Sequence, residues 1–381
     1  MAQQITSRPD VPAQTALVLG GGGLKGFAHI GVLRALEERG VRPSVIAGTS
    51  IGALIGAAYA LGTPVEEMAA RARALRRRDL FRINHMGMLL ERMRSPSLYL
   101  EARLRELCAS VIPADATFRD VTIPLLVNTV DIESGTQVVW GLPGLDDVSV
   151  LDAVYASCAL PGAFPPGYVH GRVCVDGGVV DNLPAAIASV GQRAVIAVDV
   201  GSSDLTPVED ITVEGFASIY MRAATVMMHT LQLQPLAAWK GPPLLLVRPR
   251  VAQMGWFNFD RAGEVIEIGY RTACSALDGL GQSLTARGGV YPRRLLEVEV
   301  DEAKCIGCRT CVALAPRLMR MDASGKAYPV LSPIEWSPAE GHFVNQCPTQ
   351  AITVRWLDGS GEATQDPERE PTAEAAGGAG D

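Results

Sequence analysis

The sequence holds five histidines in 381 residues, so any site that relies on an imidazole can be checked case by case. Surplus positive charge is missing too. Lys and Arg number 34 against 41 Asp and Glu, and the formal charge of −7 is unevenly spread. Residues 358–381 hold seven acidic side chains and one Arg, a net −6, which leaves about −1 for the other 357 residues. With no global basic field, nucleic acid is excluded as a partner. Long apolar runs are confined to residues 45–65, where about 20 positions are apolar or small, a length that would suit a membrane span. That stretch contains the turn-like Gly48-Thr49-Ser50 and has no basic flank before it, so it reads as a buried strand–turn–helix. The first 12 residues are polar and lack the charged-then-apolar layout of a secretory leader. Cysteines for a disulfide framework are also lacking: of eight, four sit together near the C-terminus, and Cys108, Cys158, Cys174 and Cys274 are scattered in apolar surroundings. The expected compartment is cytoplasmic.

What is present is enough for two cores: 48% of the residues are hydrophobic and 20% charged. Up to about residue 290, short apolar runs alternate with helical periodicity, the pattern of an α/β protein with a doubly wound, mostly parallel sheet and helices on both faces. Strands are expected at 16–19, 44–47, 123–130, 137–140, 194–198 and 244–247, and helices at 24–39, 51–61, 215–233 and 264–280. Gly288-Gly289 and Pro292 mark a boundary. The expected partition is a flexible N-terminus (1–13), a large domain (14–290), a small cysteine-bearing α+β domain (291–357), and an acidic tail (358–381) too poor in apolar residues to order itself.

Gly20-Gly21-Gly22-Gly23-Leu24-Lys25-Gly26 follows the first strand and opens a helix. Such a run leaves backbone N–H groups bare at a positive helix end, which suits an anion. A dinucleotide site would need a carboxylate at the end of the second strand. That strand ends instead in Gly48-Thr49-Ser50-Ile51-Gly52. A Gly-x-Ser-x-Gly between strand and helix makes a tight elbow that presents the hydroxyl, although a serine there can also be a plain helix cap. With an anion loop one strand away, acyl transfer is the stronger account, the loop stabilising a tetrahedral oxyanion.

A base must take the proton of Ser50. His29 lies in the first helix and His229 in a later helical period, His85 and His170 precede polar or glycine segments, and His342 belongs to the cysteine-rich end. A Ser–acid–His triad needs a late loop histidine, and none is convincing. Asp176, in Val175-Asp176-Gly177-Gly178, is the alternative, though a turn aspartate would look the same. Asp181 or Asn182, just beyond, reads as a helix cap.

These segments resemble the patatin-like phospholipase family over roughly residues 14–285. Gly21 to Gly26 is similar to its oxyanion loop, Gly48 to Gly52 to its nucleophile elbow, and Asp176-Gly177-Gly178 to its catalytic Asp-Gly-Gly. Ala156-Ser157-Cys158-Ala159-Leu160-Pro161 with Phe164-Pro165 is similar to its Pro-rich block, all in family order. The resemblance implies a Ser50–Asp176 dyad without histidine, an oxyanion hole from Gly21, Gly22 and Gly23, and Lys25 at a substrate- or anion-binding position. It also implies hydrolysis of phospholipids or other acyl-ester lipids, of phospholipase A or lysophospholipase type, with no cofactor needed for that step. Between elbow and Asp176 lie Arg71, Arg73, Arg76, Arg77, Arg78 and Arg82, then Met86, Met88, Leu89, Leu90 and Met93. They read either as a solvated helix face followed by core, or as a cap resting on anionic lipid, with peripheral contact at the inner membrane surface.

Cys305, Cys308 and Cys311 are spaced C-x₂-C-x₂-C, and Cys347-Pro348 follows 36 residues after the third. Three close thiolates wrap three corners of a cubane and a remote one closes the fourth; zinc sites instead pair two C-x₂-C halves. Residues 296–354 resemble a bacterial single-cluster ferredoxin. Ala315 stands where the two-cluster pattern has a further cysteine, with Pro316 kept, so one 4Fe-4S cluster is implied. Two function classes follow: a lipid acyl hydrolase with a regulatory or electron-transferring cluster, or a redox-sensing or electron-transfer protein that uses the first domain as a lipid-binding scaffold and works with a redox partner protein.

Overall fold

The computed structural model describes residues 10–80, 97–201, 215–251, 260–278, 280, 284, 288–337, 339, 342–357 and 363–364. The expectations for residues 1–9, for His85, for the 82–93 part of the basic and methionine-rich stretch, and for all of the acidic tail except 363–364 lie outside them. The chain divides into two compact units, Met1–Gly289 and Val290–Asp381.

The first unit runs β1 (Thr15–Leu19), α1 (Ala28–Glu38), β2 (Val45–Thr49), α2 (Ile51–Ala60), α3 (Val65–Ala74), α4 (Glu101–Ala109), β3 (Leu125–Asp131), β4 (Thr136–Trp140), α5 (Val150–Cys158), β5 (Gly167–Val169), β6 (Arg172–Asp176), β7 (Ala194–Val198), α6 (Phe216–Ala237), β8 (Leu244–Val247) and α7 (Ala262–Asp278). Its strands lie in the order β5-β6-β3-β2-β1-β7-β8, with β4 also on β3. β1, β2, β3, β7 and β8 pair in parallel, and β4, β5 and β6 add antiparallel pairings. Every residue of β1 and β7 is buried, which is why those strands read as unbroken apolar runs. The apolar stretch at 45–65 is β2, the Ser50 turn and α2, ending where α3 begins. Among the described residues no helix is long and apolar enough to cross a membrane.

One feature of the register positions the site. β2 pairs with β3 from Ile46↔Leu125 to Thr49↔Asn128, and β6 continues from Thr129↔Asp176 to Asp131↔Cys174. β4 covers β3 from Val127 to Asp131, so β2 and β6 share the opposite edge end to end. β2 runs parallel to β3 and β6 antiparallel, so their C-terminal ends meet. Ser50 follows one and Asp176 ends the other.

The helix expected at 24–39 starts instead as a 3₁₀ turn, Gly23–Phe27, before α1, because Gly23 takes a φ of 58° and holds the loop out of α geometry. α5, not expected from periodicity, is capped by Ser149, whose Oγ accepts the Asp152 N–H at 3.2 Å.

The second unit runs β9 (Val290–Tyr291), β10 (Arg294–Val300), α8 (Thr310–Leu314), β11 (Met319–Met321), β12 (Ala327–Pro329), β13 (Ile334–Trp336), α9 (His342–Asn345), β14 (Ile352–Leu357) and β15 (Ala363–Thr364). β13-β10-β14-β15 form an antiparallel sheet, and β11 and β12 a hairpin. The core gathers Leu296, Val298, Met319, Trp336, Phe343 and Ile352 around Cys305 and Cys311. β15 corrects the expectation that nothing in 358–381 takes part in structure: two tail residues pair with β14, since a strand edge recruits backbone whatever the side chains.

Candidate active site and cluster site

Ser50 sits between β2 and α2 at φ 56° and ψ −128°, a strained conformation for a residue with a side chain. The flanking glycines are required by space. A Cβ on Gly52 would lie 2.1 Å from the Leu19 carbonyl oxygen, and one on Gly48 2.6 Å from the Ala53 nitrogen. The backbone N–H of Ser50 donates to Ser157 Oγ at 2.8 Å, and that hydroxyl donates to the Asn128 carbonyl at 2.7 Å. Fully buried Ser157 thus ties the strained turn to β3.

Asp176 is 2% exposed. Its Oδ1 accepts the Gly178 N–H at 2.8 Å, and it shares the wall of one cavity with Ser50, close enough for the serine side chain to act on its titration. Burial pushes its pKa from 3.8 up to about 6, with Ser50 and Gly178 pulling part of the way back. Asp181, expected as a helix cap, instead accepts the Leu183 N–H at 3.1 Å in a turn ahead of the short helix Ala185–Ala188, which is preceded by Pro184. Asn182 is not a cap: its Nδ2 donates to the Gly21 carbonyl at 3.1 Å and so holds the glycine loop.

Gly21 lies against the serine, since a Cβ placed on it would be 3.1 Å from Ser50 Cβ. Its N–H, however, donates to the Asn182 carbonyl at 3.2 Å. Of the three glycines expected to supply oxyanion donors, Gly21 is therefore committed to the scaffold, and the loop's candidates reduce to Gly22 and Gly23. Ser50, Asp176 and Gly23 line one cavity of about 140 Å³, walled largely by apolar side chains such as Leu24, Phe27, Leu54 and Phe164. Lys25 is buried in the 3₁₀ turn and is not part of that wall. His29 is buried too, with Nε2 2.8 Å from the Gly20 carbonyl oxygen and its pKa lowered to about 4 by burial, so it supports the loop as a neutral ring. His170 is exposed at the β5–β6 turn, and His229 lies within α6.

Sequence reasoning missed Ser157 and Asn182 as supports of the site. Ser157→Ala leaves the backbone N–H of Ser50 without its acceptor. We expect roughly a 10- to 100-fold fall in kcat, the usual scale for a misplaced reacting group, with KM little changed. A lowered Tm at unchanged kcat would make Ser157 a packing residue only.

In the second unit Cys305, Cys308, Cys311 and Cys347 line one small cavity. The loop between the first two turns through Gly307 at φ 70°, where a Cβ would meet the Gly325 carbonyl oxygen at 2.6 Å, and on through Arg309 at φ 64°. Two sulfurs receive backbone N–H groups, Cys305 from Ala327 at 3.5 Å and Cys347 from Ala351 at 3.3 Å, as a thiolate-rich group needs. The Thr310 hydroxyl beside Cys308 holds that thiol below its ordinary value. Among the described residues no three His, Cys, Asp or Glu gather closely enough to hold one metal ion. Four cysteines around one cavity, three of them spaced C-x₂-C-x₂-C, are the donor set of a single 4Fe-4S cluster.

A serine on a strained elbow, a buried carboxylate facing the same cavity, a glycine loop and apolar walls are the parts of a serine acyl hydrolase. Residues 17–189 match the model of the Patatin-like phospholipase family, and residues 300–354 that of the 4Fe-4S single cluster domain of Ferredoxin I. The chain carries a patatin-like phospholipase domain followed by a single-cluster ferredoxin domain. It is 35% identical over 198 residues to an uncharacterized NTE family protein of Mycobacterium tuberculosis, covering 52% of each chain. It is 39% identical over 199 residues to human patatin-like phospholipase domain-containing protein 6, covering 50% of this chain and 14% of that one. It is 31% identical over 292 residues to Lysophospholipase NTE1 of Mycosarcoma maydis, covering 69% and 15%. The chain thus spans about half the length of the mycobacterial relative and a small part of the other two.

Proposed function

We propose that the first domain hydrolyses acyl esters of phospholipids or lysophospholipids with Ser50 as nucleophile and Asp176 as its base. The observation that carries this reading is the meeting of Ser50 and the buried Asp176 on the wall of one apolar cavity, where burial has raised the carboxylate's pKa to about 6, closer to the range a general base needs at neutral pH. Ser50 Oγ attacks the acyl carbonyl and passes its proton to Asp176. Gly22 and Gly23 N–H groups stabilise the oxyanion. The proton then returns to the leaving alcohol, and water, activated by the same carboxylate, releases the fatty acid and restores Ser50. Lys25, buried and off the cavity wall, takes no part. The direct test is a hydrolysis screen over phospholipids, lysophospholipids and neutral esters with anaerobically purified protein, beside Ser50→Ala. Activity that survives in Ser50→Ala would remove Ser50 as the nucleophile, and wild-type protein that cleaves none of these esters would favour the reading of the fold as a lipid-binding scaffold.

The second domain would hold one 4Fe-4S cluster through Cys305, Cys308, Cys311 and Cys347, supplying one-electron exchange when bound. Its role is regulatory or electron-transferring, with a redox partner protein in the latter case. Peripheral contact with a lipid surface is supported by α6. Ile219, Tyr220, Val226, Met227 and Leu231 are exposed on it along one face, and its Met228 reaches Gly178 beside Asp176. Met227→Glu should cut the vesicle-bound fraction in co-sedimentation several-fold; unchanged binding would remove α6 from the contact.

A further inference from the structure

The cavity has a direction and an end. α2 starts at Ser50, and its Ile51, Leu54, Ile55 and Ala58 line the cavity at the i, i+3, i+4, i+7 spacing of one helix face. The next positions in that row, Leu61 and Gly62, lie outside the lining. From Ser50 to Ala58 the helix rises about 12 Å at 1.5 Å per residue. A staggered hydrocarbon chain built from bonds of about 1.5 Å advances roughly 1.25 Å per carbon, so that length accommodates about nine or ten carbons. The volume sets a lower figure: about 140 Å³ is close to the roughly 150 Å³ of an apolar cavity known to take a six-carbon ring. Arg71 also lines the cavity, but its guanidinium donates to Glu67 Oε1 and to the Ser110 carbonyl. The space beside Ser50 therefore suits a neutral chain.

Resting on the reading of Ser50 as nucleophile, we infer that the acyl group lies along α2, that Ala58 from α2 and Met68 from α3 set its far limit, and that the preferred acyl chain has six to ten carbons. A palmitoyl or oleoyl chain overruns that end, and its last methylenes gain no burial.

The test has two arms on the full-length protein. In the first, kcat/KM is measured on p-nitrophenyl esters from acetyl to palmitoyl. The expected maximum lies between hexanoyl and decanoyl, with a fall of about tenfold or more by palmitoyl. Ala58→Phe should shift the maximum to shorter esters and Met68→Ala to longer ones. The second arm needs no catalysis: the rise in Tm with saturating free fatty acids should peak at octanoic or decanoic acid. Ester hydrolysis that keeps rising to palmitoyl would overturn the length limit and leave the hydrolase reading standing. Peak stabilisation by the medium-chain acids with no ester cleaved would do the reverse. Stabilisation that is flat with chain length would overturn the pocket whatever the kinetics. Should Ala58→Phe fail to fold, the wild-type profile and Met68→Ala still decide.

Discussion

Ser50→Ala and Asp176→Asn should each lower kcat on lipid esters by at least roughly two to three orders of magnitude, the usual cost of losing a nucleophile or its base. The histidines should not compensate, because the carboxylate that shares the cavity wall with Ser50 is Asp176; replacing His170 or His229 should change turnover little. The pH profile carries a signature. The base works ionised, and its pKa in the folded protein is about 6, so kcat/KM should fall about tenfold per pH unit below 6 and level off above about 7. Asp176→Asn also separates lost chemistry from lost fold. The folded protein holds the Asp176 proton more tightly than the unfolded chain does, so ionisation costs stability as pH rises from about 4 to 6. The shift from 3.8 to about 6 corresponds to about 3 kcal/mol. The asparagine carries no such cost and can still accept the Gly178 N–H. Its Tm should exceed that of wild type at pH 8, and the gap should close below pH 4. An active Asp176→Asn beside a folded but dead His29, His170 or His229 variant would replace the dyad with a Ser-His mechanism.

The elbow and the cysteine loop were legible because each is fixed locally. Gly48 and Gly52 are dictated by atoms within a few residues and one strand away, and Gly307 is dictated by the turn between two ligand positions. The parallel core was legible for a related reason, since strands buried on both faces leave unbroken apolar runs. What stayed hidden depends on pairing across long separations. Asp176 taken alone reads equally as a turn residue, and only its motif assigns it to Ser50; the register that joins β6 to β2 end to end along β3 is encoded by no local pattern. The Gly21 N–H looked available until Asn182, 161 residues on, was seen to take it. Ser157 gave no signal beyond its place in a Pro-rich block, because a hydroxyl buried in a helix end shows its role only through partners at Ser50 and Asn128. Lys25 was misleading in the opposite sense: a cation beside a glycine loop suggests an anion site, yet the 3₁₀ turn buries it away from the cavity.

Replacing Cys305 or Cys311 by serine should remove the cluster and loosen the second domain while leaving ester hydrolysis in place. Anaerobically purified wild type should contain about four irons and four sulfides per chain, the stoichiometry of a 4Fe-4S centre. Both cysteines lie inside the core formed by Leu296, Val298, Met319 and Phe343, so the ligands of the cluster are also core residues of a small domain. Small domains of this size lean on metals for stability, and a ligand set that forms only on folding makes cluster binding part of the folding free energy. The serine variants should therefore lose visible absorbance and iron. Amide protons of β10 and β14 should also exchange faster, with those of β1 and β7 unchanged. Hydrolysis should persist because Ser50, Asp176, Gly22, Gly23 and Ser157 all fall within Met1–Gly289. A chain ending near Gly289 that stays soluble should for the same reason retain activity. Stoichiometric zinc without inorganic sulfide would overturn the cluster assignment. Hydrolysis that falls in step with iron content, in variants whose first domain keeps its exchange protection, would show that the second domain governs the site in Met1–Gly289 and is more than an appended module.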